Sequence, residues 1–173
     1  PMSASSLPVL ATLFSPAQLL GYLAFVAGVA CFVQTDDRRF RLFMALECLA
    51  YVLHFALLGQ PTAVASSLVS LGRSVISLRW RSPWLALLFV ALNIALGWWL
   101  AQGWAALLPL LASCLGSIAL FTLQGLRMRL LMLAGTLCWV ANNLIVGSIG
   151  GTLLELTVAG VNCWTLWRLW RSR

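Results

Sequence analysis

The sequence predicts an all-α membrane protein. It has seven transmembrane helices, two parallel three-helix repeats joined by a linker helix (3+1+3), with the N-terminus outside and the C-terminus inside. Three observations predict this. Of 173 residues, 62% are hydrophobic and 9% charged, with mean hydropathy +0.96; an ordinary soluble domain carries about 25% charged residues. Apolar runs near the ~20 residues needed to cross a bilayer recur along the chain, each ended by turn residues. Arginines crowd alternate connections and leave the others bare.

The spans read in order as follows. Residues 1–15 form an extramembrane N-terminal segment, and Pro1 ahead of Met2 reads as a cleavage scar. The first span is Pro16–Val33, followed by the charged turn Thr35-Asp36-Asp37-Arg38-Arg39. The second is Phe40–Leu58, ended by Gly59-Gln60-Pro61, and the third is Thr62–Leu78, ended by Arg79-Trp80-Arg81. These make up a first repeat over 16–81. The fourth span, Trp84–Ala101, is a linker helix within 82–103. A second repeat over 104–173 holds Ala105–Leu123, Met128–Val146 and Thr152–Trp167, then a short basic tail.

The net charge of +7 and pI near 10.2 would suit a nucleic-acid binder if the protein were soluble. In an apolar chain the arginines instead anchor loops, so no nucleic acid is expected. Arg38, Arg39 and Arg41 flank the first connection, Arg79 and Arg81 the third, and Arg127 and Arg129 the fifth; Arg168, Arg171 and Arg173 lie in the tail. Only Arg73 falls inside a span. The positive-inside rule then sets the orientation. The lipid bilayer is its first partner, and association of further copies stays open. The five cysteines lie in apolar segments without metal-like spacing. They read as small buried hydrophobes, and no metal or cofactor is expected.

A shift of 88 residues sets Gly28 on Gly116, Arg41 on Arg129, Met44 on Met132, Gly59 on Gly147 and Gly72 on Gly160. It also sets Tyr51 on Trp139 and His54 on Asn142. Two triplets separated by one span run in the same direction, as in parallel-repeat transporters.

Polar residues inside the spans are the candidate site, since ionisable groups in hydrocarbon are costly. Glu47, Tyr51 and His54 recur at i, i+4 and i+7 and share a helix face. Glu47 and Arg73 sit at similar depth on consecutive helices and are expected to pair, as a structural clasp or as a gate. Ser66, Ser70, Arg73 and Ser77 form a stripe that either packs helices or lines a wet path. His54, Asn142, Asn143 and Glu155 are expected to form an outer polar cluster. Asn162, Trp139 and Tyr51 offer the hydrogen bonds and aromatic faces that a small polar solute, sugar-like or nucleoside-like, would use. No catalytic signature is present, so the chain does not read as an enzyme.

The run Gln18…Gly21-Tyr22…Gly28…Phe32-Val33-Gln34, then His54-Phe55…Leu57-Leu58-Gly59, then Thr62-Ala63 and Arg73, resembles the bacterial inner-membrane YgjV family. Through it the chain is distantly similar to SWEET, PQ-loop and PnuC-type transporters of 3+1+3 plan. The resemblance implies a small-solute transporter or facilitator with a site between the triplets and passive transport, His54 being structural or ligand-binding. The proline of the PQ-loop motif is absent: Val33-Gln34 and Leu123-Gln124 stand there, so a proline-hinged mechanism does not carry over. The competing reading is a non-transporting scaffold or sensor whose polar residues lock helices together.

Overall fold

The structure is a computed structural model, and it describes residues 14–59, 61–100, 107–145 and 149–172. Most of the expected N-terminal segment and the turns at Gln102-Gly103 and Gly147-Ser148 lie outside them. The described residues form seven helices: α1 (Pro16–Val33), α2 (Asp37–Leu57), α3 (Pro61–Arg79), α4 (Pro83–Leu100), α5 (Leu107–Thr122), α6 (Gly125–Ile145) and α7 (Ile149–Arg171). By length and apolarity, α1, α2 and α6 suffice to cross a membrane; Pro83–Trp99 and Leu107–Thr122 are apolar but shorter.

Local chemistry sets the helix ends. Ser15 accepts from Gln18 N, with Pro16 at the first helical position, where its missing N–H costs nothing. Gln34 Nε2 donates to the Ala30 carbonyl and closes the last turn of α1. Asp36 caps α2 by accepting from Arg39 N at 2.7 Å. Gly59, at φ +66°, takes the left-handed conformation that lets the chain leave α2 for α3.

Neighbouring helices in sequence pack side by side: α1 on α2, α2 on α3, α4 on α5, α5 on α6 and α6 on α7. Two further contacts join the triplets, α1 with α7 and α3 with α5. Together these trace a ring, α1–α2–α3–α5–α6–α7, with α4 left outside it. Ala86 and Phe89 of α4 pack with Phe121 of α5 and Val69 and Ile76 of α3, so α4 covers the α3–α5 seam.

The exposed and buried faces follow the helical period of about 100° per residue. On α2, Leu42, Leu46, Leu49 and Leu53 are exposed, while Phe40, Met44 and Ala50 are buried. On α6, Leu130, Leu137 and Leu144 are exposed, against buried Met128, Met132, Gly135 and Thr136. Exposed leucine stripes are what lipid-facing helices present. The main core gathers Cys31 and Phe32 of α1, Phe40 and Met44 of α2, Ala119 and Leu120 of α5, Met128 and Met132 of α6, and Val158 of α7.

Two arginines depart from the expectation of loop anchors. Arg41 is 4% exposed and Arg129 is 0% exposed. Both lie one turn inside their helices, on faces turned toward the other triplet, and each packs among protein atoms instead of reaching water.

Candidate functional site

The site begins with close helix approach at glycine. On α1, Gly21 and Gly28 are seven residues apart; on α2, so are Glu47 and His54. The helices are antiparallel, so the pairs meet in register. A Cβ on Gly28 would come within 2.8 Å of Glu47 Oε1, and one on Gly21 within 3.1 Å of His54 Cε1. The missing side chains are the notches in which the acid and the imidazole sit. His54 Nδ1 lies 2.6 Å from the Ala17 carbonyl. A carbonyl only accepts, so Nδ1 carries the proton in that bond.

Across the ring, Gly116 of α5 makes the corresponding notch for Arg73. A Cβ there would meet Arg73 Nη1 at 3.1 Å. That nitrogen donates to the Ser113 carbonyl at 2.9 Å and to Ser117 Oγ at 3.3 Å. Asn93 of α4 adds a donor to Ser117 Oγ at 3.4 Å. Arg73 therefore fastens α3 to α5.

This geometry replaces the expected Glu47–Arg73 ion pair. The two remain within electrostatic reach, but the ion pair among the described residues is Arg129–Asp37. Each expected partner is drawn to its own glycine notch, Glu47 toward α1 and Arg73 toward α5. Of the serine stripe, Ser77 Oγ bonds back to Ser74 O within α3, and Ser74, beside the stripe, bonds back to Ser70 O in the same way.

The expected outer cluster is not joined either: no hydrogen bond links His54 to Asn142, Asn143 or Glu155. Glu155 of α7 instead lies within electrostatic reach of Glu47 and Tyr51. Tyr51 stacks on Phe55 at 5.7 Å between centroids, and His54 lies edge-on to Phe55 at 5.1 Å. Asn162 is fully buried and its Nδ2 donates to the Arg129 carbonyl at 3.0 Å, so it serves the α6–α7 contact.

Tyr51 and Trp139 point inward. Trp139 lies two residues beyond exposed Leu137, about 200° round the helix, and in line with buried Met132 and Thr136. It nevertheless keeps 37% exposure. Tyr51, opposite the leucine stripe of α2, also keeps accessible surface, as do Glu47 and Glu155. These inward-facing groups thus keep surface that no neighbouring helix among the described residues covers.

Sequence reasoning missed a second constellation at the end that carries the arginine-rich turns. Asp37 Oδ1 lies 3.8 Å from Arg129 Nη2, and Asp37 Oδ2 accepts from Gly125 N at 2.8 Å. Arg41 donates to the Asp37 carbonyl at 3.1 Å, and to the Leu123 carbonyl and Met128 Sδ, each at 3.4 Å. The Arg129 guanidinium covers the Phe40 ring at 3.8 Å. Thr165 of α7 donates to the Phe32 carbonyl of α1 at 2.7 Å. Arg81 also meets the side-chain carbonyl of Gln124. The signal available in the sequence was the 88-residue shift that sets Arg41 on Arg129, each three residues before a core methionine.

Residues 15–173 match the family described as bacterial inner membrane protein, Imp-YgjV. The chain is 36% identical over 156 residues to the inner membrane protein YgjV of Escherichia coli strain K12, covering 88% of this chain and 85% of that one. No solved structure matches. With a match over nearly its whole length, this multi-pass chain belongs to the YgjV family of bacterial inner-membrane proteins.

Proposed function

We propose that the protein is a small-solute transporter or facilitator. Its site lies between two three-helix repeats, α1–α3 and α5–α7, with α4 as the linker. The observation that carries this reading is the Tyr51–Trp139 layer: two aromatic side chains on the inward faces of α2 and α6, both with accessible surface. A bundle whose polar residues served only to lock helices would fill that position.

The packing of the ring supports the repeat. Exchanging α1 with α5, α2 with α6 and α3 with α7 maps each contact onto another: α1–α2 onto α5–α6, α2–α3 onto α6–α7, and α1–α7 onto α5–α3. The unpaired helix is α4. The glycines that align under the 88-residue shift, Gly28 and Gly116, both seat a charged side chain. Ten of the eleven arginines belong to the alternate connections and the tail, which supports an outer N-terminus and a cytoplasmic arginine end.

In this reading Tyr51 and Trp139 hold the apolar face of a small polar solute. His54 Nε2 and Asn142, at equivalent positions one turn further out, offer hydrogen bonds. Glu47 and Glu155 set the charge of the space, while Arg73 is committed to α5. Asn143 flanks the outer side. Asn162 supports the site from α7 without touching the solute. Passage is passive: the position equivalent to His54 holds Asn142, which does not titrate.

Purified protein is screened for solute-dependent thermal stabilisation across sugars, nucleosides and small amines. A ligand at 100 times its Kd stabilises by about 2.7 kcal/mol. The expected hit loses its effect in Tyr51→Ala and Trp139→Ala and equilibrates across reconstituted vesicles. No hit in the panel together with a marked loss of stability in both variants would favour a scaffold, in which these rings only pack.

A further inference from the structure

We propose that Asp37, Arg41 and Arg129, closing over Phe40 and Met128, form a latch that seals the solute path at the arginine end. This rests on the transport reading above and names the part that must open.

In two bodies related by a two-fold axis, equivalent positions touch only near that axis. Under the 88-residue shift Asp37 corresponds to Gly125, Phe40 to Met128, Arg41 to Arg129 and Met44 to Met132. Asp37 Oδ2 is bonded directly to Gly125 N at 2.8 Å. Arg41 meets Met128 Sδ, Arg129 covers Phe40, and Phe40, Met44, Met128 and Met132 belong to one buried cluster. The axis between the repeats therefore runs through these layers, and they leave no opening. Farther along, the equivalent pair Tyr51 and Trp139 retains accessible surface. The space beside that pair is closed on the arginine side.

The closure is built to be broken. Asp36, next in the chain, caps its own helix. Asp37 instead caps the first turn of α6, in the other triplet, where a helix N-terminus favours negative charge. The Arg129 guanidinium is fully buried, yet none of its three nitrogens has a hydrogen-bond partner among the described residues, and Asp37 Oδ1 is also left without one there. At 3.8 Å this pair has charge attraction but not the hydrogen bonds that make a buried pair permanent. Asp37 already has accessible surface, and parting the repeats at this end hands its inner Oδ1 and the Arg129 guanidinium to water.

The test uses full-length protein in inside-out membrane vesicles, with the native cysteines replaced. Met132→Cys reports the sealed path, and Ala86→Cys, buried in the α4 seam away from the latch, reports general loosening. The probe is a membrane-impermeant maleimide added from the arginine side. Met132→Cys is expected to be unreactive in the parent and to label at least tenfold faster with Asp37→Asn or Arg129→Gln, while Ala86→Cys does not change. Unchanged labelling of Met132→Cys in both variants would overturn the latch. So would equal acceleration at Ala86→Cys, which signals general loosening. Labelling does not depend on a solute. A latch that opens in a protein that moves no solute would sink the transport reading alone, whereas solute flux with unchanged labelling would sink the latch alone.

Discussion

Gly28 shows how little room separates the Glu47 carboxylate from a steric clash. Its Cα faces the Glu47 carboxylate so closely that an added Cβ would sit 2.8 Å from Oε1. Gly28→Ala is expected to destabilise the protein by about 1–3 kcal/mol, the usual cost of overpacking a close contact. Shortening the acid in Gly28→Ala with Glu47→Ser should restore much of the lost melting temperature, whereas Glu47→Gln, equal in length, should not. If the double variants recover equally, the contact is not steric. The sequence made the polar positions legible, because Glu47, His54 and Arg73 stand out in apolar helices. It did not reveal which way each side chain turns. That is decided by glycines on other helices, Gly28, Gly21 and Gly116, and a missing side chain gives no signal of what fills its place.

At the scale of elements, the seven helices and most of their limits follow from apolar period, arginine placement and turn residues. The expected second span begins at Phe40, three residues inside the observed start of α2 at Asp37. The charged run Asp37-Arg38-Arg39 looked like a turn because charges are costly in a span. In the structure Asp36 caps the helix ahead of it, and Asp37 and Arg41 find partners on the other triplet. The same cause hid Arg129 among loop anchors: hydropathy counts a charge but not its partner 88 positions away.

The α1–α7 seam gives an element-scale test. Thr165 Oγ1 donates to the Phe32 carbonyl, which lies in the last turn of α1 and has no helical donor left. Thr165→Val should lower stability by about 1 kcal/mol by leaving that carbonyl unpaired, read as a shift in the melting curve in detergent. Thr157→Val serves as the control. Its hydroxyl bonds back to Leu153 O within α7 and faces outward, so its change should be small.

For the whole molecule, orientation is open to direct measurement. In a background without the five native cysteines, single cysteines at Gln60, Gln102 and Ser148 should react with an impermeant reagent from the periplasm. Those at Ser82 and Ser172 should react only after the membrane is opened. Labelling at Ser172 in intact cells would reverse the proposed topology. A second test concerns α4, whose Asn93 reaches Ser117 beside Arg73. Asn93→Leu keeps its bulk and removes the donor. It should reduce stability modestly, by about 0.5–1.5 kcal/mol, while leaving Arg73 on the Ser113 carbonyl.

The junction at the arginine end also bears on how the chain is made. Its bonds join residues 82, 87, 88 and 133 positions apart. While the first three helices emerge and insert, neither Gly125 nor Leu123 has been synthesised. Asp37 and the Arg41 guanidinium must wait at the membrane surface, still hydrated, and the early chain can form only the local contacts there, the Asp36 cap of α2 and the Arg41 bond to the Asp37 carbonyl. Burial of that acid and that arginine becomes a late event of biogenesis, completed when α6 and α7 arrive. A chain interrupted before residue 125 would retain its three helices and expose two charges that nothing has come to cover.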